Sequence, residues 1–87
     1  MGGRHHALTS AQIVTAITLL GFAYKETKGG HAHYIGTARG KFRKVTVSGH
    51  LAPFSQDLIG AMAFQAGVTK KELYAAVDGV IPPEWPA

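Results

Sequence analysis

Two histidines one residue apart, directly after a glycine pair, are the groups in this chain best suited to proton chemistry. They lie in Lys28-Gly29-Gly30-His31-Ala32-His33-Tyr34-Ile35. Strand side chains alternate with a period of two, so His31, His33 and Ile35 share one face while Ala32 and Tyr34 take the other. An imidazole with its ordinary pKa of about 6.5 exchanges protons at neutral pH. RNA carries its own nucleophile, the 2′-hydroxyl, so cleaving it requires only proton transfer and stabilisation of charge on the phosphate. His31 is the candidate for the proton transfer. Lys28, Arg43 and Lys44 are candidates for the phosphate charge. Gly29 and Gly30 present a backbone that a phosphate can approach closely, and His33 stands on the same face as His31. The competing reading of His31 is a surface histidine on a polar strand face.

Other chemistries have less to work with. There is no cysteine, which removes disulfides, thiolate metal sites and thiol nucleophiles. His31-x-His33 with His50 would be a three-histidine metal site, but that pattern lacks a carboxylate or a third ligand at defined spacing. The expectation is therefore no metal and no cofactor. His5 and His6 read as a solvated end. The five acids are Glu26, Asp57, Glu72, Asp78 and Glu84. Three of them sit in helix caps or at the C-terminal end, which leaves little for a carboxylate-pair hydrolase.

Charge points the same way as the histidines. Nine Lys and Arg against five Asp and Glu leave a formal charge of +4 in 87 residues, a balance that favours polyanionic partners. Lys25, Lys28, Arg39, Lys41, Arg43 and Lys44 all fall in the sheet region around the histidines. Hydrophobic residues at 46% and charged residues at 16% describe one small globular domain. No apolar run approaches the roughly 20 residues a membrane span needs. No signal-peptide pattern opens the sequence, and the expectation is a cytoplasmic protein without membrane contact.

The elements that must hold the histidines are announced locally. Thr9 and Gln12 make a capping box, with Leu8 placed to staple on Ile13. Ile13, Val14, Ile17 and Leu20 form an apolar stripe of helical period. Gly21 stops this helix, about Ser10 to Leu20, with Phe22 folding back on Ile17 as in a Schellman motif. A first strand covers Phe22 to Thr27, with Phe22 and Tyr24 inward. Gly29-Gly30 turns the chain into a second strand over His31 to Ile35. Gly36 to Gly40 reads as a flexible connection, and Phe42 to Val47 as a third strand. Ser55 caps a second helix whose buried stripe is Leu58, Ile59, Met62 and Ala66, ended by Gly67. Thr69 and Glu72 open a short third helix through about Val77. The proline-rich end cannot be helical, and Trp85 is expected to lie against the domain's own surface. The expected architecture is an α+β two-layer sandwich, dsRBD-like in its α-β-β-β-α order, with a short extra C-terminal helix and an antiparallel three-stranded sheet. Residues 1–7 read as a flexible N-terminus, 8–78 as the single domain and 79–87 as a Pro/Trp-rich tail.

Lys28-Gly29-Gly30-His31-x-x-Tyr34 resembles the Lys-Gly-Ser-His-x-x-aromatic motif of HicA toxins, the mRNA interferases of bacterial toxin–antitoxin pairs. The helix followed by Gly21-Phe22 is similar to the family's Leu-x-x-x-Gly-Phe. Val45-Thr46-Val47 with His50 resembles its third strand and following turn. Leu58 through Gly67-Val68-Thr69 and Leu73 is similar to its closing Ile-x-x-x-Ala-Gly-x-Thr helix. The likeness covers about residues 8 to 77. It implies a metal-independent endoribonuclease acting on mRNA with His31 as the catalytic histidine, neutralised by a HicB-like antitoxin. Two departures stand out: Gly30 occupies the family's serine position, and Ala32 that of a frequent histidine. Loss of that serine leaves open a non-catalytic RNA-binding module, and the Trp85 tail leaves open a protein-interaction domain.

Overall fold

The computed structural model describes residues 6–49 and 53–87. Helix α1 is Ser10–Leu19, followed by strands β1 (Ala23–Lys28), β2 (His31–Ala38) and β3 (Lys41–Ser48), then helices α2 (Gln56–Ala66) and α3 (Lys70–Val77). The strands form one antiparallel sheet in the order β1-β2-β3, so the expected α+β layout is the observed one. His50, the third histidine of the metal pattern set aside above and part of the family likeness, lies outside the described residues, as do residues 1–5 of the expected flexible terminus.

Each helix begins and ends on the residues that local chemistry selects. The Thr9 hydroxyl accepts from the Gln12 N–H while the Gln12 side chain accepts from the Thr9 N–H, which satisfies two otherwise unpaired donors. Thr69 and Glu72 repeat the same box at α3, and the Ser55 side chain accepts from Leu58 N at α2. At the far end of α1, Phe22 N–H bonds Ile17 O at 2.9 Å and Gly21 N–H bonds Thr18 O at 3.0 Å, the Schellman pattern. Gly21 adopts φ 99° there, a conformation that costs a residue with a side chain about 1–2 kcal/mol.

The core lies between the helices and one face of the sheet. Ile13, Ala16 and Ile17 of α1, Ile59, Met62, Ala63 and Ala66 of α2, and Leu73 and Ala76 of α3 are buried with Val45, Val47 and Ala38. Burial of this kind supplies most of the stability of a small domain, at roughly 25 cal/mol per Å² of apolar surface.

Three expectations need correction. Tyr24 is 57% exposed rather than inward. The bulge between Tyr24 and Glu26 pairs Tyr24 with Tyr34 on the helix-facing side, but β1 is the outermost strand, and the ring stands in solvent, edge-on to Tyr34 at 5.7 Å, with its hydroxyl bonded to Thr27. Leu58 is also exposed. The stripe Ile59, Met62, Ala63 and Ala66 faces the core, and one position back on a helix is a rotation of about 100° away from it. Gly36 to Gly40 is not a loop: β2 runs through Ala38, and Arg39-Gly40 closes a two-residue hairpin with both φ positive, 50° and 78°. That is the turn type whose twist matches paired strands. Gly36 belongs in the strand because the buried Phe22 ring lies where a side chain would begin.

The C-terminal segment packs on the domain, as expected for Trp85. Its indole Nε1 donates to Leu20 O at 2.7 Å, Arg39 N–H donates to Pro86 O, and Pro82 is buried. Among the described residues no helix is long and apolar enough to cross a membrane.

Candidate functional site

Residues directly opposite one another in an antiparallel sheet share a face. Lys28 pairs with His31 and His31 with Ser48; Glu26 pairs with His33 and His33 with Thr46; Ile35 pairs with Lys44. These rows therefore occupy the face turned away from the buried Val45 and Val47. Short-range contacts agree: His33 Nδ1 and Thr46 Oγ1 are 3.2 Å apart, and Lys28 Nζ lies 3.6 Å from Glu26 Oε2. The latter is an exposed ion pair that holds Lys28 only weakly.

His31 sits at the end of this face, next to the hairpin made by Gly29 and Gly30 at φ 57° and 83°. The face continues into a groove of about 240 Å³ between β3 and α2, lined by His31, Thr46, Ser48, Leu58, Ala61 and Gln65, with Phe54 and Met62 at its base. Gln65 holds the two walls together, because its Oε1 accepts the outward-pointing N–H of Thr46 at 3.0 Å. That bond also satisfies a donor on the free edge of the sheet. An exposed imidazole beside a lysine, at the mouth of a half-apolar groove, can bind an anion and move a proton.

The residues expected around His31 divide into two groups. Lys28, Gly29, Gly30 and His33 lie with it, and Lys44 is on the same face, about 13 Å further along the strand direction. Arg43 is not with them. It pairs with Gly36 on the helix-facing side, its Nε donates to Ala38 O at 2.8 Å, and its guanidinium lies over Gly67. Arg39 is withdrawn as well, bound to Glu72 and Gly67 O at the opposite end of β2. Thr46, Ser48, Leu58 and Gln65 belong to the groove and are not among the site residues expected from sequence. The helical spacing of 58, 61 and 65 could have marked a common face, but not what it faces. Among the described residues no three metal-ligating side chains come together.

The pronounced electrostatic perturbation lies away from the groove. The Arg39 guanidinium holds the Glu72 carboxyl below the usual carboxylate range, helped by the Thr69 N–H, and the Arg39 pKa is raised in return. Comparisons with protein-family models, with curated proteins and with solved structures find no match.

Proposed function

We propose that this protein is an mRNA interferase of the HicA-like kind, a metal-independent endoribonuclease acting in the cytoplasm with His31 as its general acid/base. One observation carries the reading: His31 lies between Lys28 and Ser48 in a single cross-strand row, at the mouth of the groove beside α2. In the proposed reaction His31 takes the proton of a 2′-hydroxyl. The 2′-oxygen forms a bond to phosphorus, the bond to the 5′-oxygen breaks, and the leaving oxygen regains a proton. The products are a 2′,3′-cyclic phosphate and a 5′-hydroxyl. Lys28 offsets charge gathering on the non-bridging oxygens, while the exposed glycine hairpin leaves room for the chain of the substrate. A HicB-like antitoxin would neutralise the protein by covering the same face.

The test is cleavage of a labelled single-stranded RNA in excess EDTA, wild type beside His31→Ala. Cleavage by the wild type alone, leaving 2′,3′-cyclic ends, supports the enzyme. A folded wild type that cuts none of several RNAs overturns it.

A second reading, an RNA-binding module without cleavage, is favoured by a specific contrast. His33 is bonded by Thr46, whereas among the described residues nothing hydrogen-bonds the His31 ring, and catalytic imidazoles are normally oriented by a partner. Gly30 in place of the family serine points the same way. Salt-sensitive RNA binding that survives His31→Ala, with no cleavage by the wild type, would establish it.

A further inference from the structure

Gln65 is a half-buried amide with only one of its ends engaged. Because an N–H can bond only to an amide oxygen, the contact from Thr46 N to Gln65 Oε1 determines which way the amide is turned. The NH₂ group is thereby left with no bond among the described residues, in a groove whose nearby walls are Leu58 and Ala61. A site built this way offers apolar surface for a flat ring and donors, but no acceptor, from this side chain. The position is continuous with the proposed phosphate site. Thr46 is two residues from Ser48, the partner of His31, about 7 Å along the strand, a distance that one nucleotide spans.

We infer that this groove receives one unstacked base of single-stranded RNA, and that the Gln65 amide NH₂ selects bases with a keto oxygen at pyrimidine position 4 or purine position 6 over those with an amino group there. Uracil O4 and guanine O6 accept a hydrogen bond, whereas cytosine N4 and adenine N6 would bring a second donor against the first. A base inside a duplex cannot reach such a groove, so the substrate class is a single strand with splayed bases. The positive balance of the chain suits the phosphates on either side. The inference rests on the RNA reading above and extends it from where RNA is cut to which base is held.

Uridine and cytidine oligomers differ at the keto and amino position while keeping ring size, so they are the probes. Their affinities for the full-length His31→Ala protein, in which cleavage cannot deplete the ligand, are measured by fluorescence anisotropy. The uridine oligomer should bind about fivefold more tightly, the scale of one hydrogen bond. Gln65→Glu keeps an acceptor for Thr46 N–H but presents an oxygen to the groove, so the preference should invert even if the added charge weakens both affinities. A uridine-to-cytidine ratio unmoved by Gln65→Glu in a folded protein overturns the inference, whatever the cleavage result. A ratio that inverts while the wild type cuts no RNA keeps the base site and removes the enzyme. Failure of both oligomers to bind overturns both.

Discussion

Arg39 and Glu72 are joined by two hydrogen bonds of equal length, Nη1 to Oε1 and Nη2 to Oε2, both 3.1 Å. The same guanidinium donates to Gly67 O at 2.9 Å and lies 5.3 Å from the centre of the Trp85 ring. One side chain on the β2–β3 hairpin therefore ties together the start of α3, the end of α2 and the C-terminal segment. Two-pronged pairs of this kind have more geometric specificity than single surface contacts.

Acid should release this clamp. The Glu72 pKa is lowered by Arg39, so its contribution to stability is fully present above the ordinary carboxylate value of about 4.3 and is lost as pH falls through the lowered value. Glu72→Gln retains an acceptor for Thr69 N–H but loses the charge. Its melting temperature should lie below that of the wild type at neutral pH, and the gap should close as pH falls toward 3. Trp85 fluorescence should already lie nearer that of exposed indole in the variant at neutral pH, and the wild type should approach it as the pH falls. A gap that is unchanged or wider at low pH would show that the ion pair does not stabilise the fold.

Two cations expected to act alike should behave differently. Lys28 shares a face with His31, whereas Arg43 is turned to the helices and bonded to Ala38 O. Lys28→Ala should weaken RNA binding across sequences and reduce the salt slope by about 0.7, the value for one phosphate contact on a single strand. Arg43→Ala should leave that slope unchanged and lower the melting temperature. Anisotropy titrations at several salt concentrations, paired with thermal melts, measure both.

Two glycines should respond to a side chain with opposite signs. A Cβ at Gly36 would lie 3.0 Å from Phe22 Cδ2 and 3.3 Å from Gly21 O, against a ring that is itself buried. Gly36→Val should destabilise by about 1–3 kcal/mol, a fall of several degrees in melting temperature for a domain of this size. Gly60 lies within α2 without a positive φ, and nothing around the helix comes within 4 Å of where its Cβ would stand. Gly60→Ala should stabilise by about 0.5–1 kcal/mol, since alanine suits a helix better than glycine. Denaturant melts of the two variants beside the wild type decide it.

The sequence alone determined whatever depends on residues within about four positions of one another. The Thr9–Gln12 and Thr69–Glu72 boxes, the Ser55 cap, the Gly21 and Gly67 stops, the Gly29-Gly30 hairpin and the common face of His31 and His33 all rest on bonds or alternation of that range. Only the tertiary structure decided where the cations go and where the groove lies. Arg39 meets a carboxylate 33 positions away, and the groove exists because Gln65 reaches the edge of β3 across 19. Tyr24 and Leu58 are apolar enough for a core, yet the outermost place of β1 in the sheet leaves one uncovered and the packing angle of a helix turns the other outward. A residue's type reports its affinity for water and its hydrogen-bonding capacity. Which surface it meets depends on how separately formed elements dock, and that is settled by the burial of the whole set of apolar side chains at once.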